Sequence, residues 1–360
     1  MGRYAMTANI YLDHAATTPL RPAAGEAMRE GFAQWANPSS PHQAGRAARA
    51  ALEDARERIA EAFEWDGEVI FTSGASEAAA IAMSRANASE RFVSGVEHDA
   101  LLAAAPGAPR LAVLADGAVD QERMEAALAR ATQPVVAIQR INSETGNSQN
   151  LGDLVDSVHE AGGLVVCDVA QNAGKYPMPL EIDMAIVAAH KFGGPIGVGA
   201  LLVREFEMLA PDGGHERGYR RGTENLPGIL GMAAALEDCT YPYLPQGPYD
   251  AMMRFANDVR AAGGTWLGDR LDTPTAYIHA IAMPRLSGSA QLMRFDMARI
   301  AVSQGSACSS GSLRRSHVLT AMGVDDDLAD RTIRVSLGWT TTTSDIERFR
   351  EVWLAMALGG

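Results

Sequence analysis

The sequence predicts an α/β protein, with a large domain on a mostly parallel β-sheet and a smaller α+β domain after it. Strand-like and helix-like patterns alternate through the first two thirds of the chain, as they do when helices cover both faces of a parallel sheet. Apolar runs such as Gly163 to Val169 and Asp183 to Ala189 have the character of buried strands. The stretch Pro242-Tyr243-Leu244-Pro245-Gln246-Gly247-Pro248 then breaks the pattern and marks the domain boundary. Residues 15–247 are expected to form the large domain. Residues 1–14 and 248–360 are expected to form the small one.

The elements follow in order. Pro22 to Trp35 and Ala44 to Phe63 are predicted helices, the second rich in Ala, Arg and Glu. Glu68 to Thr72 is a short strand, followed by the turn Ser73-Gly74-Ala75-Ser76 and an Ala-rich helix to about Ala88. Arg91 to Val96 is a strand, and Ala115-Asp116-Gly117 between two short apolar stretches signals a hairpin turn. Pro134 to Ile141 is a strand and Leu151 to Ala161 a helix. Two further strands end at Asp168 and at His190-Lys191; Gly199 to Arg204 is one more, and Leu226 to about Asp238 is a helix.

Composition narrows the function classes. The chain has 360 residues, enough for a sizeable core, and 47% of them are hydrophobic. A net charge of −13 argues against nucleic acid or an anionic membrane as the main partner. No apolar run approaches the roughly 18 residues a transmembrane helix needs. Residues Met1 to Ile10 lack the apolar segment of a secretory signal. The 3 cysteines, Cys167, Cys239 and Cys308, are too scattered for a disulfide framework or a metal site, so no metal is expected and a reducing cytoplasm is the expected location.

In a parallel sheet, ligands bind beyond the carboxyl ends of the strands. Asp168 and Lys191 are both placed there. A lone lysine or aspartate at a strand end is most often structural. Together they match what pyridoxal phosphate requires: an amine to take up its aldehyde and a carboxylate to keep its pyridine nitrogen protonated. The turn before the helix at Ser76 offers backbone N–H groups suited to a phosphate. Thr223 adds a hydroxyl beside Arg220 and Arg221. His98 follows a strand and could stack on a ring and move protons. Arg334 offers a fork suited to a substrate carboxylate. Cys308 lies among Ser, Gly and Ala, a setting for an accessible nucleophile on a moving loop, whereas Cys167 sits in an apolar strand and is read as core.

These motifs together resemble the cysteine desulfurases, fold-type I pyridoxal-phosphate enzymes of iron–sulfur cluster assembly. The resemblance runs over nearly the whole chain. It rests on Tyr11-Leu12-Asp13-His14-Ala15-Ala16-Thr17-Thr18-Pro19, Asn37-Pro38-Ser39-Ser40, Phe71 to Glu77, Glu97-His98, Asp168-Val169-Ala170-Gln171 and His190-Lys191. It continues through Gly213 to Gly218, Arg221-Gly222-Thr223 and the highly specific Gly305-Ser306-Ala307-Cys308-Ser309-Ser310-Gly311, which is similar to the group with the longer cysteine loop.

The resemblance implies that Lys191 binds the cofactor as a Schiff base and later moves the Cα proton. It implies that Asp168 pairs with the pyridine nitrogen, Gln171 meets the ring hydroxyl and His98 stacks on the ring. Ala75, Ser76, His190 and Thr223 would hold the phosphate, Thr223 coming from the other subunit of a homodimer. Asn142 and Arg334 would bind L-cysteine. Cys308 would take the substrate sulfur as a persulfide, leaving alanine, and pass it to an acceptor protein such as a cluster scaffold.

The chain departs from the family pattern at several positions. Ser143 stands where the family has a second Asn that touches cofactor and substrate. Ala188 stands for a serine, Ala78-Ala79-Ala80 for a more polar stretch and Ile196 for a lysine. Two other readings stay open on the sequence. One is a related lyase or aminotransferase of the same fold, such as a selenocysteine lyase. The other is a catalytically silent scaffold.

Overall fold

The computed structural model describes residues 9–305 and 315–359. Cys308 and its neighbours lie outside the described residues. In chain order the strands are β1 (Ile10–Tyr11), β2 (Glu68–Thr72), β3 (Glu90–Ser94), β4 (Arg110–Leu111), β5 (Pro134–Gln139) and β6 (Leu164–Asp168). They continue with β7 (Met184–Ala188), β8 (Gly199–Val203), β9 (Thr265–Trp266), β10 (Ile278–Ala282), β11 (Ile300–Ala301) and β12 (Thr332–Ser336).

A 7-stranded sheet runs in the order β2-β8-β7-β6-β5-β3-β4. All of its strands are parallel except β8, which is antiparallel to both of its neighbours. Chain length accounts for the exception. Only residues 189–198 separate β7 from β8. A crossover back to a parallel position takes a dozen residues or more, so the chain turns and returns antiparallel. Lys191 lies on that turn, which fixes it at the carboxyl end of β7.

The central strands are apolar throughout because helices cover both faces. Val135, Val136, Val165, Val166, Ala185 and Val187 are all completely buried. The helix Ala75–Arg85 packs Ala78, Ile81, Ala82 and Met83 against one face. The helices Gln43–Ala62 and Leu226–Glu237 lie in the core of the other. Leu226–Glu237 is buried on most of its surface because Pro22–Ala33 covers its outer side.

A second core surrounds the 3-stranded antiparallel sheet β12-β10-β9. The helices Gln246–Ala261 and Thr343–Leu358 close it with Phe255, Phe349 and Trp353, stacked edge to face. The short strand β1 pairs with β11, which ties the beginning of the described chain to this second unit. Leu12 and Ala15 belong to the same core.

Two sequence-predicted strands end early. The first stops at Ser94 rather than Val96, because Glu97 and His98 turn away to open the helix Asp99–Ala104. The second stops at Ala188, and Ala189–Lys191 forms a 3₁₀ turn. The expected hairpin near Asp116 is present as a tight turn, with Val113 bridging Val119.

Candidate active site

The site forms where the carboxyl ends of β6 and β7 meet the segment Asp13–Thr18. Lys191 Nζ donates to the carbonyls of Ala15 (2.6 Å) and Ala16 (2.9 Å). Gln171 Nε2 donates to the same Ala15 oxygen at 2.9 Å. The backbone supports this arrangement, since Thr18 N–H donates to His190 O at 2.8 Å. The sequence marked Tyr11 to Pro19 as a motif without giving Ala15 and Ala16 a task. Their carbonyls are what hold the lysine.

Asp168 closes β6. One of its oxygens accepts the Ala170 N–H at 2.8 Å. Burial raises its pKa; that N–H and the nearby charges of His98 and Lys191 pull it back down. A carboxylate in this position gains from a cationic partner. Behind it, Glu97 is completely buried. Its Oε1 accepts the Gln139 N–H at 2.7 Å, and its Oε2 has no partner among the described residues. Burial, and then the Asp168 charge, push the Glu97 carboxyl well above the ordinary range. The neutral form avoids two like charges in one pocket. The sequence noted Glu97 only as the neighbour of His98.

His98 caps the helix Asp99–Ala104, its Nδ1 accepting the Ala100 N–H at 3.1 Å. A neutral ring therefore carries its proton on Nε2. His190 pairs through Nδ1 with Thr17 Oγ1 at 3.1 Å. Burial, then the cations Lys191 and Lys175, lower His190 to about 4, so it is neutral at physiological pH.

Ala75 and Ser76 begin the helix Ala75–Arg85 behind Gly74, whose φ of 145° few other residues adopt. A Cβ on Gly199 would come within 2.7 Å of the Gly74 Cα, so this glycine lets β8 press directly against the turn. Ala78 and Ala79 are 0% and 1% exposed: both departures from the family pattern lie in the core. Ile196 is 78% exposed.

Arg334 is buried on β12. It donates to Asp13 Oδ1 at 2.8 Å and to Ser143 O at 2.9 Å, while its Nε has no partner among the described residues. The Asn142 side chain serves its own loop. Its Oδ1 accepts from the N–H groups of Glu144 and Thr145, and its Nδ2 donates to Val96 O at 3.1 Å. Thr223 is exposed on the loop after Gly222. Cys167 is completely buried, matching its reading as core.

The amine, carboxylate, imidazole and amide thus converge at one crease. The model described as Aminotransferase class-V matches residues 10–349. The chain is 38% identical to a cysteine desulfurase of Cereibacter sphaeroides, over 95% of this chain and 94% of that protein. The chain belongs to the cysteine desulfurases of the aminotransferase class-V family. A cysteine desulfurase of Klebsiella pneumoniae is 37% identical over 94% of this chain and 90% of its own length. Among solved structures, a NifS-like protein of Rickettsia africae superposes with a TM-score of 0.84 at 28% identity, covering 97% of this chain and 99% of that one. The structure of SspA in complex with cysteine has a TM-score of 0.77 at 27% identity, covering 91% of this chain and 99% of that one. The family accounts for the α/β fold-type I architecture. Among the described residues, no helix is long and apolar enough to cross a membrane.

Proposed function

We propose that this cysteine desulfurase converts L-cysteine to L-alanine with pyridoxal phosphate on Lys191, and that the sulfur leaves as a persulfide on Cys308. The observation that carries the reading is the position of Lys191 Nζ, held by the Ala15 and Ala16 carbonyls with Gln171 on the same oxygen. The donor set fits the cofactor. An amine, a carboxylate in need of a cation, an imidazole and an amide N–H match its aldehyde, ring nitrogen, ring face and ring hydroxyl in turn. The cofactor would supply an electron sink for charge developing at the substrate Cα.

The chain's own residues do the rest. Asp168 would keep a proton on the ring nitrogen of the bound cofactor. Gln171 would meet the ring oxygen. His98 would cover the ring with Nε2–H free to donate. Ala75 and Ser76 at their helix start, His190 and Thr223 would hold the phosphate. Arg334 shares its fork between Asp13 and the substrate carboxylate, beside Asn142 and Ser143. Lys191 moves the Cα proton. The Cys308 thiolate attacks the substrate sulfur; an S–S bond forms and the Cβ–S bond breaks. Its electron pair is protonated to give the methyl group of alanine.

The working form is a homodimer in which each subunit lends Thr223 to the other. Exposed Phe32, Trp35 and Ile196, at 66%, 81% and 78%, support a covered face. We assign residues 15–247 to a cofactor-binding domain and residues 1–14 and 248–360 to the domain that carries Cys308. A cytoplasmic setting and an acceptor protein, such as an iron–sulfur cluster scaffold, complete the reading.

The test is alanine release from L-cysteine under reducing conditions. The intact protein should release alanine; Cys308→Ala and Lys191→Ala should not. Release by Cys308→Ala at the full rate would replace this reading with a lyase that needs no thiol.

A further inference from the structure

Lys175 is an unusual residue to find beside this crease. It is 3% exposed, and its acceptor is a side-chain amide, not a carboxylate. Nζ donates to Gln171 Oε1 at 3.1 Å and lies 5.0 Å from the centre of the Tyr277 ring and 5.6 Å from that of Tyr243. Two aromatic faces compensate a buried cation in part. The Tyr277 hydroxyl donates to Gln171 O at 2.7 Å, so the backbone of Gln171 is held as well. A continuous chain of contacts results: Lys175 to Gln171, Gln171 to Ala15, and Lys191 to the same Ala15 oxygen.

A carboxamide has two nearly isosteric orientations, and its neighbours choose between them. On one side of Gln171 stands a carbonyl, which only accepts. On the other stands Lys175, which donates. A flipped amide would set oxygen against oxygen at Ala15 and N–H against N–H at Lys175. The observed orientation keeps Nε2 on the Lys191 side. One of its N–H groups goes to Ala15, and the second remains for the pocket.

We propose that Lys175 is a positioning residue that locks the Gln171 amide with its N–H toward the ring oxygen of the cofactor on Lys191, and thereby holds down the proton affinity of the lysine–cofactor linkage. This rests on the cofactor reading given above. An N–H donated to the ring oxygen withdraws that oxygen from the linkage proton. The titratable groups that face Lys175 are Lys191, His14, His190, Cys239 and the phenols of Tyr243 and Tyr277. Burial, then the Lys191 charge, lower Lys175 to about 7. Both protonation states keep an N–H for Gln171.

The experiment is a pH titration of the visible absorbance of the protein loaded with pyridoxal phosphate. The variants are Lys175→Met, Lys175→Arg, Gln171→Ala and the double variant Lys175→Met with Gln171→Ala. We expect Lys175→Met to raise the absorbance midpoint by about one pH unit, a tenfold gain in proton affinity of the size one hydrogen bond contributes. Lys175→Arg, which keeps a cationic donor, should restore most of the shift. Gln171→Ala should move the midpoint the same way, and the double variant should add little to it. Lys175→Leu, which also lacks a donor, replaces the methionine variant if that one does not fold.

A midpoint that does not move in a folded, cofactor-bearing Lys175→Met overturns the proposal. Full additivity in the double variant overturns it too, since Lys175 would then act without Gln171. A wild-type protein with no lysine-dependent absorbance is a separate result: it removes the cofactor reading itself, and the proposal with it.

Discussion

Arg56 grips Glu216 through two parallel N–H···O bonds, 2.8 and 3.1 Å long, beneath the loop that leads to Thr223. Both side chains are nearly inaccessible, at 7% and 1%. Glu216 Oε2 also accepts the Phe71 N–H at 2.9 Å, and the guanidinium lies over the Phe71 ring. Glu216 and Arg217 hold φ values of 46° and 55°, which ordinary residues rarely adopt. The pair therefore holds a strained loop against β2.

Removing either partner should be costly. Arg56→Ala leaves the buried Glu216 carboxylate without its cation, with an expected loss of about 3–5 kcal/mol in chemical denaturation; Glu216→Ala should cost less, because Arg56 Nε still donates to Glu53 Oε2 at 3.0 Å. Arg56→Met with Glu216→Leu should lose less than the two single changes added together. A loss below about 1 kcal/mol in Glu216→Ala would show that the pair does not hold this loop.

Glu97 gives a pH-dependent prediction. Its folded pKa is raised, so the unfolded chain gives up this proton first as pH rises. The stability linked to it is complete below the ordinary carboxylate range and is lost as pH climbs through the folded value. Glu97→Gln removes that loss. Its melting temperature relative to the wild type should increase between about pH 5 and pH 8, the range above the ordinary Glu pKa. A constant difference across that range would mean that Glu97 is charged in the folded protein.

Lys175 has the opposite sign. Its folded pKa, about 7, lies below the ordinary lysine value of 10.5, so its linked stability is present above 10.5 and is lost as pH falls toward 7. Lys175→Met is expected to look progressively more stable, relative to the wild type, as pH is lowered from 10 to 7. Melting curves across that range check it, and a difference that does not change with pH would show that the buried amine does not titrate there.

Asp168→Asn keeps the shape and removes the charge. Losing a charge-assisted hydrogen bond of about 1.5–3 kcal/mol predicts a fall in kcat of roughly 10- to 100-fold. Cofactor should still bind through Lys191, visible as retained absorbance. Unchanged kcat would separate Asp168 from the ring nitrogen.

Arg334→Lys tests the substrate carboxylate. A point charge cannot reproduce a planar fork, so KM for L-cysteine is expected to rise by about tenfold or more, with a smaller change in kcat. Steady-state kinetics of alanine formation would show it. A normal KM would mean that Arg334 serves only Asp13 and Ser143.

Much of this architecture was legible in the chain. The runs ending at Asp168 and Lys191 are apolar because the sheet is covered on both faces. That is also why their polar ends stand out. The single-residue chemistry at Lys191, Asp168, His98 and Cys308 is a matter of residue type and order. Lys175 was not legible: in Gly174-Lys175-Tyr176 it looks like any surface lysine. Asn142 was legible as polar, but its engagement by Glu144, Thr145 and Val96 was not.

The sequence by itself determined which chemistry the protein carries and, to within a residue or two, where the central strands of the large sheet lie, because periodicity and residue type are local properties. Only the tertiary structure decided how the groups are tuned. The pairing of β8 with β2, Glu97 behind Asp168, and the line from Lys175 through Gln171 to Ala15 join residues far apart in the chain. Their energies depend on burial and on neighbouring dipoles and charges, and those exist only once the sheet, the Asp13–Thr18 segment and the second core have packed together.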